Sequence, residues 1–103
     1  IEYFDGNEPG YQIDNTNNKI YFNLKPSELN SAAAAGTKEH VLYATYDESK
    51  LVDVQIKDVD AVSSAIESLE FELNNQTGTK SKFYVWSGSV SDCKPLCAPV
   101  PVE

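Results

Sequence analysis

The sequence predicts an all-β domain, built as an antiparallel sandwich of short strands. Apolar and polar residues alternate along several short segments, which is the pattern of strands with one buried face and one solvated face. Residues that favour turns, namely Gly, Asn, Asp and Pro, separate these segments. A parallel sheet would instead need continuous apolar strands with helices between them. The alternation therefore favours antiparallel pairing.

Length and charge limit the classes of protein to which this chain can belong. Its 103 residues are enough for one domain with a single core. The net charge is -8 at pH 7 and all eight basic residues are lysines, so we expect no nucleic-acid partner. No apolar run approaches the roughly 20 residues that span a bilayer, so we expect no membrane insertion. Because the first residue is not methionine, we expect a piece of a longer protein.

The first third of the chain predicts two strands and a loop. Residues 1–18 mix aromatic residues with turn formers, which indicates one short edge strand and loops. Residues 19–25 alternate cleanly and predict a half-buried strand. Residues 26–36 end in a short alanine run, which is too short to offset the cost of helix nucleation. We therefore predict a loop with at most one helical turn.

One short motif suggests a cation site. Asp14, Thr16 and Asn18 carry oxygen atoms at alternate positions, as the start of a calcium-binding loop does. The glycine that an EF-hand loop needs for its turn is absent, and Lys19 stands in its place. We therefore favour a turn capped by Asx side chains, and we predict no metal site.

The middle of the chain predicts a β-hairpin. Residues 39–47 have a continuous β-favouring centre, and turn chemistry leads from them into residues 51–57. In the second arm, Asp53, Gln55 and Lys57 share one face, which we expect to meet water.

The last third predicts two further strands. Residues 58–73 fit a loop or a short helical turn that leads into a strand at 69–73. Residues 80–86 are rich in aromatic and β-branched side chains and predict the last strand of the domain. The prolines that follow prevent pairing as a central strand. We therefore expect residues 1–97 to form the module and residues 98–103 to form a Pro-rich linker.

The alternation also predicts which side chains form the core. At about 25 cal/mol per Å² of apolar burial, such a core supports a small domain that folds without a disulfide. The predicted core residues are Ile20, Phe22, Leu24, Leu42, Ala44, Tyr46, Val52, Val54, Ile56, Leu69, Phe71, Leu73, Phe83 and Val85.

The aromatic strand at residues 80–86 leaves one question open, because periodicity does not decide which of its faces is buried. In one orientation Tyr84 and Trp86 face the core in place of Phe83 and Val85. In the alternative orientation they point outward beside Tyr21 and Tyr43 and form a row of aromatic rings. Such a row is suited to stacking against sugar rings, so these four residues are the candidate ligand-binding residues.

No catalytic motif stands out in the sequence. His40 has no serine or cysteine motif nearby, and the carboxylates are explained by a solvated face. We therefore expect neither an enzyme nor a cofactor. Cys93 and Cys97 can form a disulfide, which would close a very short loop and contribute only about 2 kcal/mol, or remain buried thiols. With one distant histidine they are a poor zinc set.

Several segments, in this order, resemble a known class of modules. The segments are residues 41–47 (VLYATYD), 50–54 (KLVDV), 82–86 (KFYVW) and 94–96 (KPL). Together they resemble the immunoglobulin-like or fibronectin-type-III-like modules of secreted multimodular polysaccharide-degrading enzymes and surface proteins of clostridia and related bacteria. In those modules an aspartate often follows the tryptophan, whereas here Ser87 follows it. The resemblance implies an immunoglobulin-like β-sandwich of about 6–8 short strands.

The resemblance also implies a function and a location. It predicts a non-catalytic accessory or spacer module of a larger extracellular protein, either carbohydrate-active or on the cell surface. Its expected partners are the neighbouring domains of the parent polypeptide and, in the alternative interpretation, a polysaccharide bound by an outward aromatic face. We expect the module itself to be a monomer.

Overall fold

The computed structural model describes residues 9–29, 36–74, 76–87 and 94–102, and it confirms an all-β antiparallel fold. One short helix, α1, covers the single turn Pro26–Leu29. Proline suits the first turn of a helix because its missing N–H group has no partner there in any case. The strands are β1 (Gly10–Asp14), β2 (Lys19–Leu24), β3 (Lys38–Asp47), β4 (Lys50–Asp60), β5 (Glu67–Glu72), β6 (Thr79–Ser87), β7 (Lys94–Pro95) and β8 (Val100–Val102).

The strands form two sheets. The smaller sheet has the order β1-β2-β5, and the larger has the order β4-β3-β6-β7, with β8 also paired to β6. All pairings are antiparallel. The chain crosses between the sheets after β2, after β4 and after β5, which is Greek-key connectivity of the kind that immunoglobulin-like sandwiches use.

The prediction that the aromatic strand β6 is the last of the domain is wrong, because β7 and β8 follow it in the chain and β6 is central in its sheet. It pairs with β3 on one side and with β7 and β8 on the other. Pro95 and Pro101 lie in these two short edge strands, where a missing N–H group is tolerated. Val100–Val102 was expected to belong to a linker, but it forms β8.

The core is an aromatic cluster between the two sheets, centred on Phe83. The Phe83 ring stacks on Phe22 and Tyr43, with centroids 4.4 and 4.9 Å away, and meets Phe71 edge-on at 5.6 Å. Tyr11 lies at its margin, with a centroid distance of 6.3 Å. Such pairs add about 0.5–1.5 kcal/mol each beyond the area that they bury. Phe83 therefore holds the two sheets together.

Most of the predicted core outside the hairpin is confirmed, while the hairpin was assigned to the wrong face. The buried predicted residues are Ile20, Phe22, Leu24, Ala44, Phe71, Leu73, Phe83 and Val85. Leu69 is half-buried and packs against this cluster. Leu42 and Tyr46 are only half-buried, and Val52, Val54 and Ile56 are exposed. On the inner face of β3, Val41 and Tyr43 are buried instead.

The physical reason lies in strand pairing. Segment 41–44 is apolar on both faces, so its alternation carries no phase information. In β4 the alternation is real, but the polar face points inward toward β5. There the Gln55 side chain bonds to the backbone of Glu72, and the Lys57 ammonium lies 5.5 Å from the centre of the Phe71 ring. The expectation that this polar face meets water is therefore only partly correct, because Asp53 and Lys57 are exposed but Gln55 is half-buried.

The turn between β1 and β2 uses Asp14 as the Asx interpretation predicts. One Asp14 carboxylate oxygen accepts the backbone N–H of Asn17 at 3.2 Å, and the other accepts the Asn17 side-chain amide at 2.8 Å. These hydrogen bonds lower the pKa of Asp14. The carboxylate is thus engaged in stabilising the turn.

Candidate binding surface

Strand β6 buries one face and turns the other outward. Phe83 and Val85 are fully buried, whereas Tyr84 and Trp86 are half-buried. Because successive side chains of a strand point to opposite faces, Tyr84 and Trp86 lie on the outer face of the larger sheet. Of the two orientations left open by the sequence, the strand adopts the one that agrees with the predicted core positions Phe83 and Val85.

Tyr46, Tyr84 and Trp86 form what we call the outer aromatic row. The hydroxyl oxygens of Tyr46 and Tyr84 are 2.9 Å apart and share a hydrogen bond. The ring centroids of Tyr84 and Trp86 are 5.7 Å apart, and their planes are inclined by 51°. The hydrogen bond to Tyr84 and partial burial raise the pKa of Tyr46, so its hydroxyl is neutral at physiological pH.

Aliphatic side chains extend this row into β4. Leu42 lies opposite Tyr84 on one side and opposite Ile56 on the other, so all three share the outer face. Ile56 is 58% exposed and Val54 is 40% exposed. We call the combined surface the outer apolar band, which consists of Leu42, Tyr46, Val54, Ile56, Tyr84 and Trp86. A band of this kind, rimmed by polar residues, is typical of an interaction site.

Charged and polar groups lie at both ends of the row. At one end, the exposed Lys80 and Lys82 lie on the same face of β6 as Tyr84. At the other end His40 lies opposite Trp86, and its Nδ1 atom is 2.6 Å from a carboxylate oxygen of Asp58. The band thus combines apolar contact area with groups that can orient a polar partner.

Tyr43, one of the four predicted ligand-binding residues, belongs to the core. Its side chain is fully buried and its ring stacks on Phe83. Its hydroxyl oxygen accepts the backbone N–H of Asn74 at 3.1 Å. Tyr43 therefore has a structural role and contributes nothing to an outward aromatic surface.

Tyr21 lies on the outer face of the other sheet. Its neighbours along β2, Ile20 and Phe22, are both fully buried, so the Tyr21 side chain points away from the core. Partial burial and the nearby Glu70 carboxylate raise its pKa. The structure therefore brings together only Tyr84 and Trp86 of the four candidates, because Tyr43 and Tyr21 lie inside and on the opposite face.

Glu39 is a buried carboxyl group that the sequence analysis did not single out. It lies on the inner face of β3 opposite Val59 and Ser87, and its side chain is fully buried. Neither of its carboxylate oxygens has a hydrogen-bond partner in the described part of the chain. Burial raises its pKa to about 7, because the charged form loses its hydration. A lone carboxyl group of this kind does not make a catalytic pair.

A polar cluster links the strands at one end of the sandwich. The side-chain amide of Asn74 donates to the Thr45 hydroxyl at 2.9 Å and to the Asp53 carboxylate at 2.8 Å. The hydroxyls of Thr45 and Ser81 are 2.9 Å apart. This network joins β3, β4 and β6 to the segment after β5, so these groups are engaged in holding the fold.

The structure describes one of the two cysteines of the predicted disulfide. Cys97 is half-buried and packs against the edge of the hydrophobic core. Cys93 lies outside the described residues, so the Cys93–Cys97 disulfide stays a prediction. Within the described ranges, no group of three or more His, Cys, Asp or Glu side chains is placed to bind a metal ion. Over the same ranges, no helix is long and apolar enough to cross a membrane.

Sequence reasoning missed four members of the outer apolar band because it placed them in the core, namely Leu42, Tyr46, Val54 and Ile56. For Leu42 and Tyr46 on β3 the sequence holds no correcting signal, because Glu39 occupies the same face of the strand as Val41 and Tyr43. An acidic residue would ordinarily assign that face to solvent. Instead the carboxyl group is buried, so the sequence pattern points to the wrong face.

No protein-family model, curated protein or solved structure matches this chain. The outer apolar band is therefore interpreted from its geometry.

Proposed function

We propose that this domain is a non-catalytic accessory module of a larger extracellular protein, either carbohydrate-active or on the cell surface. We further propose that the module packs against a neighbouring domain of the parent polypeptide through its outer apolar band. The observation that carries the proposal is the band itself, in which half-buried aromatic and exposed aliphatic side chains form one surface on the larger sheet. The extracellular setting rests on the resemblance of residues 41–47, 50–54 and 82–86 to secreted modules.

The composition of the band favours a protein partner. Val54 and Ile56 present aliphatic groups, which contribute contact area but no polar recognition. Trp86 and Tyr84 are residue types that anchor protein interfaces, since each supplies a large ring and one polar group. A neighbouring domain with an apolar surface patch would cover both kinds of side chain.

The test compares the isolated module with a longer segment of the parent protein that includes its neighbours. We expect the module to melt at a higher temperature in the longer protein, because a contact made only by the folded module stabilises it. Ile56→Lys should reduce that difference, whereas Tyr21→Lys, on the opposite face, should leave it intact. Equal melting temperatures in both contexts would contradict the proposal.

Carbohydrate binding is a second candidate, favoured by the outward orientation of Tyr84 and Trp86. Aromatic rings on a sheet surface can stack against the apolar faces of sugars. Lys80 and Lys82 at the end of the row could additionally pair with acidic sugars.

The isolated module can be titrated with neutral and acidic plant polysaccharides while the fluorescence of Trp86 is followed. Carbohydrate binding predicts a shift of the Trp86 fluorescence spectrum of the unmodified module. In a pull-down assay with the same polysaccharide, less of the Trp86→Ala and Tyr84→Ala variants should be bound. Tyr21→Ala is the matched control and should bind normally. If none of the polysaccharides binds or shifts the spectrum, this second function is excluded and the accessory-module proposal is retained.

A further inference from the structure

Strand β4 has an open edge. It is 11 residues long and pairs with β3 on one side only, and no other strand of the described residues pairs with it. Leu51, Val52, Val54 and Ile56 are each between 40% and 58% exposed. The unpaired N–H and C=O groups of such an edge are a template on which another strand can pair.

The neighbouring edge of the sandwich is treated differently. β5 is the end strand of the smaller sheet, and near β4 the Gln55 side chain bonds to both backbone groups of Glu72. The Gln55 side chain thus satisfies the N–H and C=O groups that β5 would use to pair with another strand at Glu72. The edge of β4 has no comparable cover in the described residues, so it is the edge available for strand pairing.

We propose that two copies of this chain form a dimer in which β4 pairs antiparallel with β4 of the second copy, with the two-fold axis at Gln55. In this register Val54 lies opposite Ile56 of the second copy on the outer face. Both residues then gain an apolar neighbour where each is now exposed. The Gln55 side chain points inward to Glu72, so it stays clear of the contact.

The charges of β4 are complementary to themselves in this register. Asp53 lies opposite Lys57 of the second copy, and both side chains lie on the inner face of β4. Symmetry repeats this pair, which gives two opposite-charge pairs and no like-charge pair. Opposite charges directly across a ladder stabilise it, and like charges destabilise it.

Other registers of the same pairing are less favourable. Sliding the second copy by one residue toward one end of β4 places Asp53 opposite Asp58, and a shift of three residues the other way places Lys50 opposite Lys57. The bulge between Thr45 and Tyr46 of the β3–β4 ladder bends β4 at Val52, which further restricts where a second strand can pair. The charge pattern therefore selects the register centred on Gln55.

The dimer closes on itself. Each copy offers the β4 edge once and a two-fold axis uses the same edge of both copies, so pairing stops at two chains. The outer apolar bands of the two copies then continue into each other. This proposal replaces the monomer expected from the sequence. It does not depend on which partner covers the outer apolar band.

Charge reversal combined with sedimentation equilibrium tests the proposal. The unmodified chain should show a concentration-dependent dimer. Asp53→Lys alone and Lys57→Asp alone should each raise the dimer dissociation constant by about tenfold, since each turns two favourable pairs into repulsion. The double variant should recover the original constant, because it restores opposite charges at both positions. Lys80→Asp, an exposed change on the central strand β6, serves as the control and should dimerise normally.

A second pair of positions keeps the test independent of folding effects. Asp53 accepts a hydrogen bond from Asn74, and Lys57 lies over Phe71, so these changes can also affect stability. Val54→Lys, Ile56→Glu and their double variant apply the same logic at two exposed outer-face positions that lie opposite each other in this register, with circular dichroism confirming the fold. A chain that stays monomeric at about 1 mM would overturn the proposal, because even a weak specific dimer is populated there. A dimer that ignores the single reversals, or that neither double variant restores, would overturn it as well.

Discussion

Gln55 on β4 and Glu72 on β5 are joined by two hydrogen bonds, although they belong to different sheets. The side-chain amide of Gln55 donates to the carbonyl oxygen of Glu72 at 2.9 Å, and the backbone N–H of Glu72 donates to the Gln55 side-chain oxygen at 3.0 Å. A glutamine side chain here bonds as a strand would. The two sheets are thus linked by hydrogen bonds at the edge formed by β4 and β5.

Replacing Gln55 should destabilise the domain. Gln55→Ala removes both hydrogen bonds to Glu72, and we expect a loss of about 1–2 kcal/mol in the free energy of unfolding. Gln55→Glu keeps an acceptor for the Glu72 N–H group but loses the donor and brings a charge toward a carbonyl oxygen, so it should not rescue the loss. Urea denaturation measures both variants.

Ile56→Thr is the matched control for this experiment. Ile56 is the next residue in β4 but lies on the outer face, and both residue types are β-branched. Its effect should stay within about 0.5 kcal/mol in the monomer at low concentration. If Gln55→Ala cost no more than this control, the link would contribute nothing to stability.

Glu39 should make stability depend on pH. Because burial raises the pKa of Glu39 to about 7 in the folded protein, the folded state holds its proton more tightly than the unfolded state does, where the ordinary value is 4.5. The contribution of Glu39 is therefore most favourable below about pH 4.5 and is lost as the pH rises toward 7. The full change is about 3 kcal/mol.

Unfolding curves collected from pH 5 to pH 8 measure this slope. Glu39→Gln should flatten it, because the amide does not titrate. Glu39→Leu should be more stable than the original chain at pH 8, since no charge is then buried without a partner. The opposing contribution of Asp14, whose pKa is lowered, is lost only at more acidic pH and does not disturb this window. An unchanged slope in Glu39→Gln would show that another group titrates.

The hydroxyl pair on the outer face can be measured by a double-mutant cycle. Tyr46→Phe and Tyr84→Phe each remove one partner of the 2.9 Å hydrogen bond while keeping the ring. We expect each single change to cost about 0.5–1 kcal/mol, and the double variant to cost less than their sum. Strictly additive losses in urea denaturation would mean that the two hydroxyls do not interact in solution.

The buried face of a strand could be predicted from the sequence in some segments and not in others, and the reason is physical. Residues 19–25 and 69–73 alternate between one apolar and one polar face, so their strands and most of their buried residues were predicted correctly, although Leu69 is only half-buried and Asn23 on the predicted polar face is buried. Residues 41–44 are apolar on both faces, and residues 51–57 place their polar side chains inward against β5. In the hairpin the existence of the strands was predictable, but the buried face depended on pairing between distant segments.

The candidate surface was predictable only in part, for the same reason. Tyr84 and Trp86 were identified as ring-bearing residues, but their orientation follows from the burial of Phe83 in an aromatic cluster drawn from β1, β2, β3 and β5. Tyr46 joins them through contacts across β3 and β6 that are 38 residues apart in sequence. Local patterns contain no information about such pairings.

Truncations at Phe83 and Trp86 give the most direct test of which face of β6 is buried. Phe83→Ala should lower the free energy of unfolding by about 3–5 kcal/mol, because it opens a cavity at the centre of the aromatic cluster. Trp86→Ala, on the outer face, should cost about 1 kcal/mol or less in spite of the larger ring, since its side chain is only half-buried. Acrylamide should quench Trp86 fluorescence readily in the folded protein. Two results together would reverse the assignment of the faces: quenching that increases strongly only on unfolding, and a larger loss of unfolding free energy for Trp86→Ala than for Phe83→Ala.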